Sequence, residues 1–159
     1  MAGTAVISKD YVDFLRNLAS VAAAHKLRAS DAVADYGLNP CEISILTCLA
    51  LDSTIHTVRD IALYLHTSKS LISRSTEHLR QLGFIRTAPS LADRRVLCLQ
   101  LLDAAQPVVQ TLKACIDAFI AEATAGIPKA EMAAFRQTAV KILKNIQHAG
   151  PDSPAADGQ

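Results

Sequence analysis

The sequence predicts a mainly α-helical fold with one small β-hairpin, an α+β arrangement. Three observations lead to this prediction. Apolar residues recur at helical spacing through most of the 159 residues, they alternate strictly only around residues 84–101, and helical spacing then resumes. Half of the residues are hydrophobic, so a chain of this length can bury a proper core.

The first predicted helix runs from about Ser8 to Asp35. The segment is rich in alanine and other helix formers, and apolar residues such as Val12 and Leu15 fall on one helical face. Gly37 can supply the left-handed residue that ends a helix. We therefore expect a long helix before the rest of the fold.

Two shorter helices are predicted next. Asn39 is an N-cap residue, Pro40 suits the first helical position and Glu42 completes a capping box, so the second helix should span about Pro40 to Leu51. Thr57, with an acid three residues later, begins a third helix.

A fourth helix follows a short break at residues 66–68. Ser68 can cap this helix and Gly83 can end it. Its predicted apolar face comprises Leu71, Ile72, Ser75, Leu79 and Leu82. Two helices joined by a turn of three or four residues match the helix-turn-helix pattern.

The apolar period changes from 3.6 to 2 after Gly83. Residues 84–88 and 96–101 read as two short strands, and residues 89–94 between them contain turn formers and charge. A β-hairpin directly after a helix-turn-helix is a wing. The predicted fold is therefore a winged helix-turn-helix flanked by long N- and C-terminal helices.

Two C-terminal helices are predicted after Asp103, with Pro107 in a first turn and a break at residues 126–128. Their apolar residues recur at coiled-coil-like spacings of three and four. A small winged domain has no obvious place for these helices, so we expect dimerisation. The predicted dimerisation residues are Val12, Leu15, Val108, Leu112, Phe119, Phe135, Ile142 and Ile146.

The middle of the chain is locally basic although the net charge is only +1. Between residues 57 and 95 there are seven Lys and Arg residues and three Asp and Glu residues. Binding to phosphates depends on local positive charge rather than on the total. This segment is therefore compatible with a nucleic-acid partner.

The candidate DNA-binding residues lie on the fourth helix and the wing. The N-terminal part of a recognition helix faces base edges in the major groove, and its polar residues here are Ser68, Lys69, Ser70, Ser73 and Arg74. Arg74 is the best candidate for reading guanine. An arginine at a wing tip can enter a minor groove, and we expect Asp93 to pair with the Arg95 guanidinium. The wing candidates are Arg86, Asp93, Arg94 and Arg95.

The order of these elements resembles the MarR family of bacterial regulators. The resemblance is carried by residues 38–40, 70–74, 79–84 and 93–101. One departure follows the wing, where Leu101-Leu102 and Ala105 replace the Leu-Thr and Gly that are common in the family.

The resemblance implies a homodimeric repressor that binds a pseudo-palindromic double-stranded operator and is released by a small ligand or an oxidant. The predicted elements divide the chain into an N-terminal dimerisation helix (1–37), a DNA-binding domain (38–102) and C-terminal dimerisation helices (103–148). The Gly, Pro, Ala, Ser and Asp composition of residues 149–159 predicts a disordered tail. No residue pattern identifies the effector.

Other functions find less support. No Gly-rich phosphate loop, nucleophile elbow or metal motif appears, so we expect neither an enzyme nor a bound cofactor or metal. A winged-helix module that binds protein instead of DNA stays open, and so does redox sensing. Oxidant sensors of the family carry a cysteine near the N-terminus, whereas the first one here is Cys41. With no leader pattern and no membrane-length apolar stretch, we expect a cytoplasmic protein.

Overall fold

Six α-helices and one antiparallel hairpin make up the described part of this computed structural model, which comprises residues 9–90 and 93–148. This architecture confirms the predicted α+β fold. The expected tail at 149–159 lies outside the described residues. The α-helices are α1 (Lys9–Ala32), α2 (Pro40–Leu51), α3 (Val58–Tyr64), α4 (Lys69–Gln81), α5 (Gln106–Ala123) and α6 (Lys129–His148), the strands are β1 (Ile85–Pro89) and β2 (Leu97–Leu101), and 3-10 turns lie at Ala34–Tyr36 and Asp103–Ala105.

The predicted capping box starts α2. The Asn39 side-chain oxygen accepts hydrogen bonds from the backbone N–H groups of Cys41 and Glu42, at 2.9 and 3.0 Å. The Glu42 carboxylate accepts in return from the Asn39 backbone N–H at 2.9 Å. These bonds satisfy donors that the first turn of a helix leaves free, so α2 begins where the sequence predicts.

The helix-turn-helix is formed by α3 and α4. Thr57 caps α3 by accepting from the Asp60 N–H at 3.1 Å, and Ser68 caps α4 by accepting from the Leu71 N–H at 3.2 Å. Between the helices His66 has a φ of +49°, and the Thr67 N–H donates to the Ala62 carbonyl at 3.0 Å. This is the left-handed helix ending that glycine usually provides, here with histidine in the left-handed position.

The buried face of α4 is narrower than the sequence predicts. Ile72 and Leu79 are fully buried, with Ser75 between them, whereas Leu71 and Leu82 are 37% and 40% exposed. Consecutive helix positions are about 100° apart, so these two leucines fall at the edge of the stripe. Gly83, at φ +73°, then ends α4 in the left-handed conformation.

The wing is tied to the segment before α3. β1 and β2 pair in antiparallel register from Ile85 opposite Leu101 to Pro89 opposite Leu97. The Leu99 backbone N–H on β2 also donates to the His56 carbonyl at 2.7 Å. This bond anchors the hairpin beside the helix-turn-helix.

The chain divides into two compact units, Met1–Phe119 and Ile120–Gln159. The core of the first unit includes Val108 and Leu112 from the beginning of α5, which are 0% and 2% exposed. Their predicted role in dimerisation is wrong, because residues enclosed by their own chain offer no surface to a partner. The early part of α5 completes the winged domain's core.

The other predicted dimerisation residues have different surroundings. Phe119 is half-buried in the first unit, where its ring lies 5.3 Å from the His25 ring and 5.4 Å from the Arg28 guanidinium carbon. The remaining five stay exposed, namely Val12, Leu15, Phe135, Ile142 and Ile146. None of the helices within residues 9–148 is long and apolar enough to cross a membrane.

Candidate nucleic-acid interface

The polar residues predicted on the recognition helix lie together on the solvent side of α4. Ser68 caps the helix, and the core side of α4 is occupied by Ile72 and Leu79. Because apolar burial fixes that side, the opposite side faces water. The structure thus brings together all five predicted residues as exposed side chains, Ser68, Lys69, Ser70, Ser73 and Arg74.

The one acid on α4 is neutralised within the helix. The Arg80 guanidinium donates to both Glu77 carboxylate oxygens, at 2.9 and 2.7 Å, and lowers the pKa of Glu77 to about 2 together with Gln81. Lys69 and Arg74 form no ion pair within residues 9–90 and 93–148. The N-terminal part of α4 therefore presents uncompensated positive charge.

The wing tip contains a tight turn built around Asp93. Its carboxylate accepts from the Arg95 backbone N–H at 2.9 Å, and its carbonyl accepts from the Val96 N–H at 2.9 Å. Aspartate is common at the first position of such a turn, because its side chain can accept a hydrogen bond from the backbone two residues later. Arg94 and Arg95 are the exposed central residues of the turn.

This geometry corrects the expected pairing of Asp93 with the Arg95 guanidinium. Asp93 bonds to the backbone of Arg95, and no ion pair joins their side chains in the described parts of the chain. Asp93 therefore shapes the turn, and both wing guanidinium groups remain available to a ligand.

Arg86 has a partner that the sequence reasoning missed. Its Nε donates to the Gln100 side-chain oxygen at 2.9 Å across the hairpin, where the two residues are directly paired. Cross-strand neighbours commonly interact in this way. The ends of the two predicted strands would align Arg86 with residue 98 or 99, so the observed register is needed to identify this pair.

A second missed pair joins α2 to α4. Glu42 is only 2% exposed, and its second carboxylate oxygen lies 2.7 Å from Nδ1 of His78. The sequence placed His78 only beside Glu77. One signal was available, since an acid buried in a capping box retains an oxygen that needs a second partner. The separation of 36 residues hides which partner it is.

The buried Cys48 thiol is held in its protonated form. Burial and the nearby Asp52 charge raise the pKa of Cys48 to about 11, and a protonated thiol reacts poorly. The four cysteines are free. Within the described residues, no group of three His, Cys, Asp or Glu side chains could hold a metal ion.

Two hollows lie in the first unit away from the recognition helix. One is an open cleft of about 580 Å³ between the segment after α2 and the wing. The other, of about 170 Å³, lies between α1, α2 and the end of α3, and its lining is Ala29, Ser30, Pro40, Ile43, Ser44, Thr47, Cys48, Leu65, His25, Lys26 and Tyr64.

Comparison with known proteins identifies the central segment. Residues 36–96 match the sequence model of the MarR family. This stretch contains the helix-turn-helix and the wing as far as the residue before β2. No curated protein matches the sequence.

Solved transcriptional regulators share the fold. Transcriptional regulator PA3341 superposes with a TM-score of 0.77 at 22% identity, covering 85% of this chain and 98% of that one. A MarR-family regulator from Silicibacter pomeroyi gives 0.74 at 22% identity, covering 91% and 97%. CouR from Rhodococcus jostii RHA1, solved with p-coumaroyl-CoA bound, gives 0.69 at 22% identity, covering 87% and 95%.

These neighbours are transcriptional regulators, and at such identities their likeness establishes the fold. Together with the sequence match it confirms the resemblance inferred from the residues. Residues 36–96 form a winged helix-turn-helix whose sequence matches the MarR family of transcriptional regulators.

Proposed function

We propose that the protein is a homodimeric repressor that binds a specific double-stranded DNA operator and is released by a small ligand. One observation carries this proposal. The recognition helix and the wing are the two elements with which this fold reaches DNA. They carry four exposed cations that form no ion pair with the described residues, namely Lys69, Arg74, Arg94 and Arg95. Their charges suit phosphate binding.

The two elements have different tasks in this proposal. Helix α4 enters the major groove, where Arg74 donates two hydrogen bonds to a guanine, and the exposed serines near its start bond to phosphates or bases. Arg94 and Arg95 reach into an adjacent minor groove, whose negative potential is strongest in narrow A·T tracts. Base contacts by Arg74 provide sequence preference, while the wing adds affinity.

Exposed apolar surface on the flanking helices supports the dimer. On α6, Phe135, Leu143 and Ile146 are 46%, 59% and 62% exposed, and Val140 and Ile142 are exposed as well. At about 100° per residue these positions cover nearly half of the helix circumference. Apolar stripes of this width are normally covered by another element. The exposed apolar residues of α1 also cover about half of its circumference, and they include Val12, Phe14, Leu15, Leu18 and Val21.

Dimerisation is tested by sedimentation. The chain should be a stable dimer at micromolar concentration, and Ile146→Asp should shift it towards monomer because a carboxylate would be buried in an apolar interface. Lys144→Asp on an exposed part of the same helix is a charge control. A monomeric native chain would contradict the proposal.

The 170 Å³ hollow is the proposed effector site. It is close in size to a 150 Å³ cavity known to hold benzene, so it fits roughly one aromatic ring. Its exposed inner surface is mostly apolar, and its polar or charged lining residues are His25, Lys26, Ser30, Ser44, Thr47 and Tyr64. Because the hollow lies between α1, α2 and the end of α3, a molecule bound there would shift the helix-turn-helix formed by α3 and α4. CouR, which shares the fold, binds p-coumaroyl-CoA.

Fluorescence anisotropy tests the DNA-binding proposal. The operator is first recovered by in vitro selection from random duplexes, and its scrambled version is the control. Arg95→Ala should weaken binding to both duplexes, whereas Arg74→Ala should also reduce the ratio between them. If affinity ignored the salt concentration and both substitutions, a protein-interaction module would replace this proposal.

A further inference from the structure

A buried carboxylate orients a half-exposed imidazole on the recognition helix. Glu42 is 2% exposed at the start of α2, and the His78 side chain, 47% exposed, lies in the last turns of α4. Their contact, 2.7 Å from Oε1 to Nδ1, crosses between the two helices. Since the other Glu42 oxygen is occupied by the Asn39 N–H, the carboxylate is fixed in place and fixes the ring.

We propose that His78 is a further DNA-contacting residue, which binds a backbone phosphate of the operator as an imidazolium held by Glu42. The inference deepens the proposed function and rests on it. It also predicts that operator affinity depends on pH through this one residue.

The hydrogen-bond pattern determines what His78 can offer. A carboxylate only accepts hydrogen bonds, so Nδ1 must carry the proton that bonds to Glu42. In the neutral ring Nε2 carries a lone pair and only accepts hydrogen bonds. It cannot bond to a phosphate oxygen, which is also an acceptor. After protonation Nε2–H becomes a donor and the ring a cation. Only the imidazolium can therefore bind a phosphate.

The position of His78 suits a phosphate rather than a base. His78 is one turn after Arg74 and about 40° further around the helix, towards α2. A helix with its side chains is about as wide as the major groove. Central side chains such as Arg74 therefore meet bases, and flanking ones meet the phosphates at the groove edge.

A small hollow lies beside this flank. Its volume is about 240 Å³, several times the roughly 30 Å³ of a water molecule, and it therefore has room for a phosphate group. Its lining comprises Leu71, Arg74 and Ser75 from α4 and Asn39 and Glu42 from the start of α2, and His78 lies outside this lining. A phosphate in this hollow would be repelled by the Glu42 carboxylate, and an imidazolium at His78, which contacts that carboxylate at 2.7 Å, would compensate the charge.

The other charged groups around His78 are Arg74, which is unpaired, and Glu77, which is bonded to Arg80. The elements that pack on α4 are α2, α3 and β1. On α3, Asp60 bonds to Thr57 and Arg59 is exposed, and on β1, Arg86 bonds to Gln100. Glu42 on α2 is the one acid bonded to His78 in the described parts of the chain.

The test is the pH profile of DNA affinity, measured by anisotropy with the selected operator duplex from pH 5.5 to 8.5 at constant ionic strength. Histidine is the side chain that ordinarily changes charge in this range. Native affinity should fall with rising pH by about tenfold per half-site, the usual value of a charge-assisted bond. His78→Gln should bind weakly with a flat profile, and His78→Arg tightly with a flat profile.

Two further variants separate this role from a structural one. Glu42→Gln, which keeps the side-chain shape, should weaken binding because the ring loses the carboxylate that orients it. His66→Asn is the matched control, since asparagine tolerates the left-handed backbone at that position, and it should retain the native profile. Thermal unfolding confirms that each variant is folded.

Three results would overturn the inference. The first is an unchanged pH profile in His78→Gln. The second is a His78→Arg variant that binds no better than His78→Gln at pH 8.5. The third is a native chain that binds no DNA, which would remove the proposed function as well, whereas the first two leave that function intact.

Discussion

The salt dependence of DNA binding provides the most quantitative prediction. On α4 and at the wing tip, four exposed cations per subunit form no ion pair with the described residues, namely Lys69, Arg74, Arg94 and Arg95. A dimer presents eight of them. Each cation held in a DNA groove neutralises about one phosphate charge, whether it bonds to a phosphate or to a base, and contributes about 0.9 to the slope of log K against log salt concentration. The slope should therefore be about −7. Affinity should thus fall about 10⁴-fold between 50 and 200 mM salt.

The wing accounts for half of these charges. Replacing both Arg94 and Arg95 by alanine should reduce the slope to about −3.6, because four of the eight contacts are lost. Anisotropy titrations at five salt concentrations would measure this change. The double variant Glu77→Gln, Arg80→Ala is a matched control on α4, since it removes an internal ion pair without changing the net charge, and it should leave the slope near about −7. A wing variant with the native slope, or a control with an equal loss, would refute the reasoning.

Three further predictions concern single groups. Cys48, whose pKa burial and Asp52 raise to about 11, should resist iodoacetamide at pH 8 in the folded protein and react only after unfolding; rapid labelling of the native state would be inconsistent with that pKa. Glu77, whose pKa is lowered to about 2 mainly by Arg80, should stay ionised as the pH falls to about 3, and NMR titration of Arg80→Ala should move its midpoint back towards the ordinary 4.5. Gly83→Ala meets no atom within 4 Å but forces alanine into φ +73°, so denaturant unfolding should show a loss of about 1 kcal/mol, and no loss would mean that the left-handed conformation is dispensable.

The elements most fully predicted by the sequence are those whose signals are local. The helix α2 starts at Pro40 and ends at Leu51 as expected, because the Asn39 capping box specifies its start through bonds three residues apart. The caps Thr57 and Ser68 work in the same way. Local hydrogen bonds can be read from spacing alone.

Features that depend on distant residues could not be predicted in the same way. Apolar spacing predicted that Val108 and Leu112 are buried, but it could not show which surface covers them. In the structure they are covered by the core of their own domain. Charge attraction suggested a side-chain pair for Asp93, whereas turn geometry directs its carboxylate to the backbone. The contact between Glu42 and His78 requires the helix packing itself.

A footprint of the selected operator tests the central claim most directly. A dimer that reads DNA with two α4 helices must contact two half-sites centred about 34–36 Å apart, one turn of the duplex. Hydroxyl-radical footprinting together with the mass of the complex should therefore show two chains on a pseudo-palindrome with half-sites 10–10.5 base pairs apart. A single asymmetric half-site with one chain bound, or selection that enriches no sequence, would contradict the account.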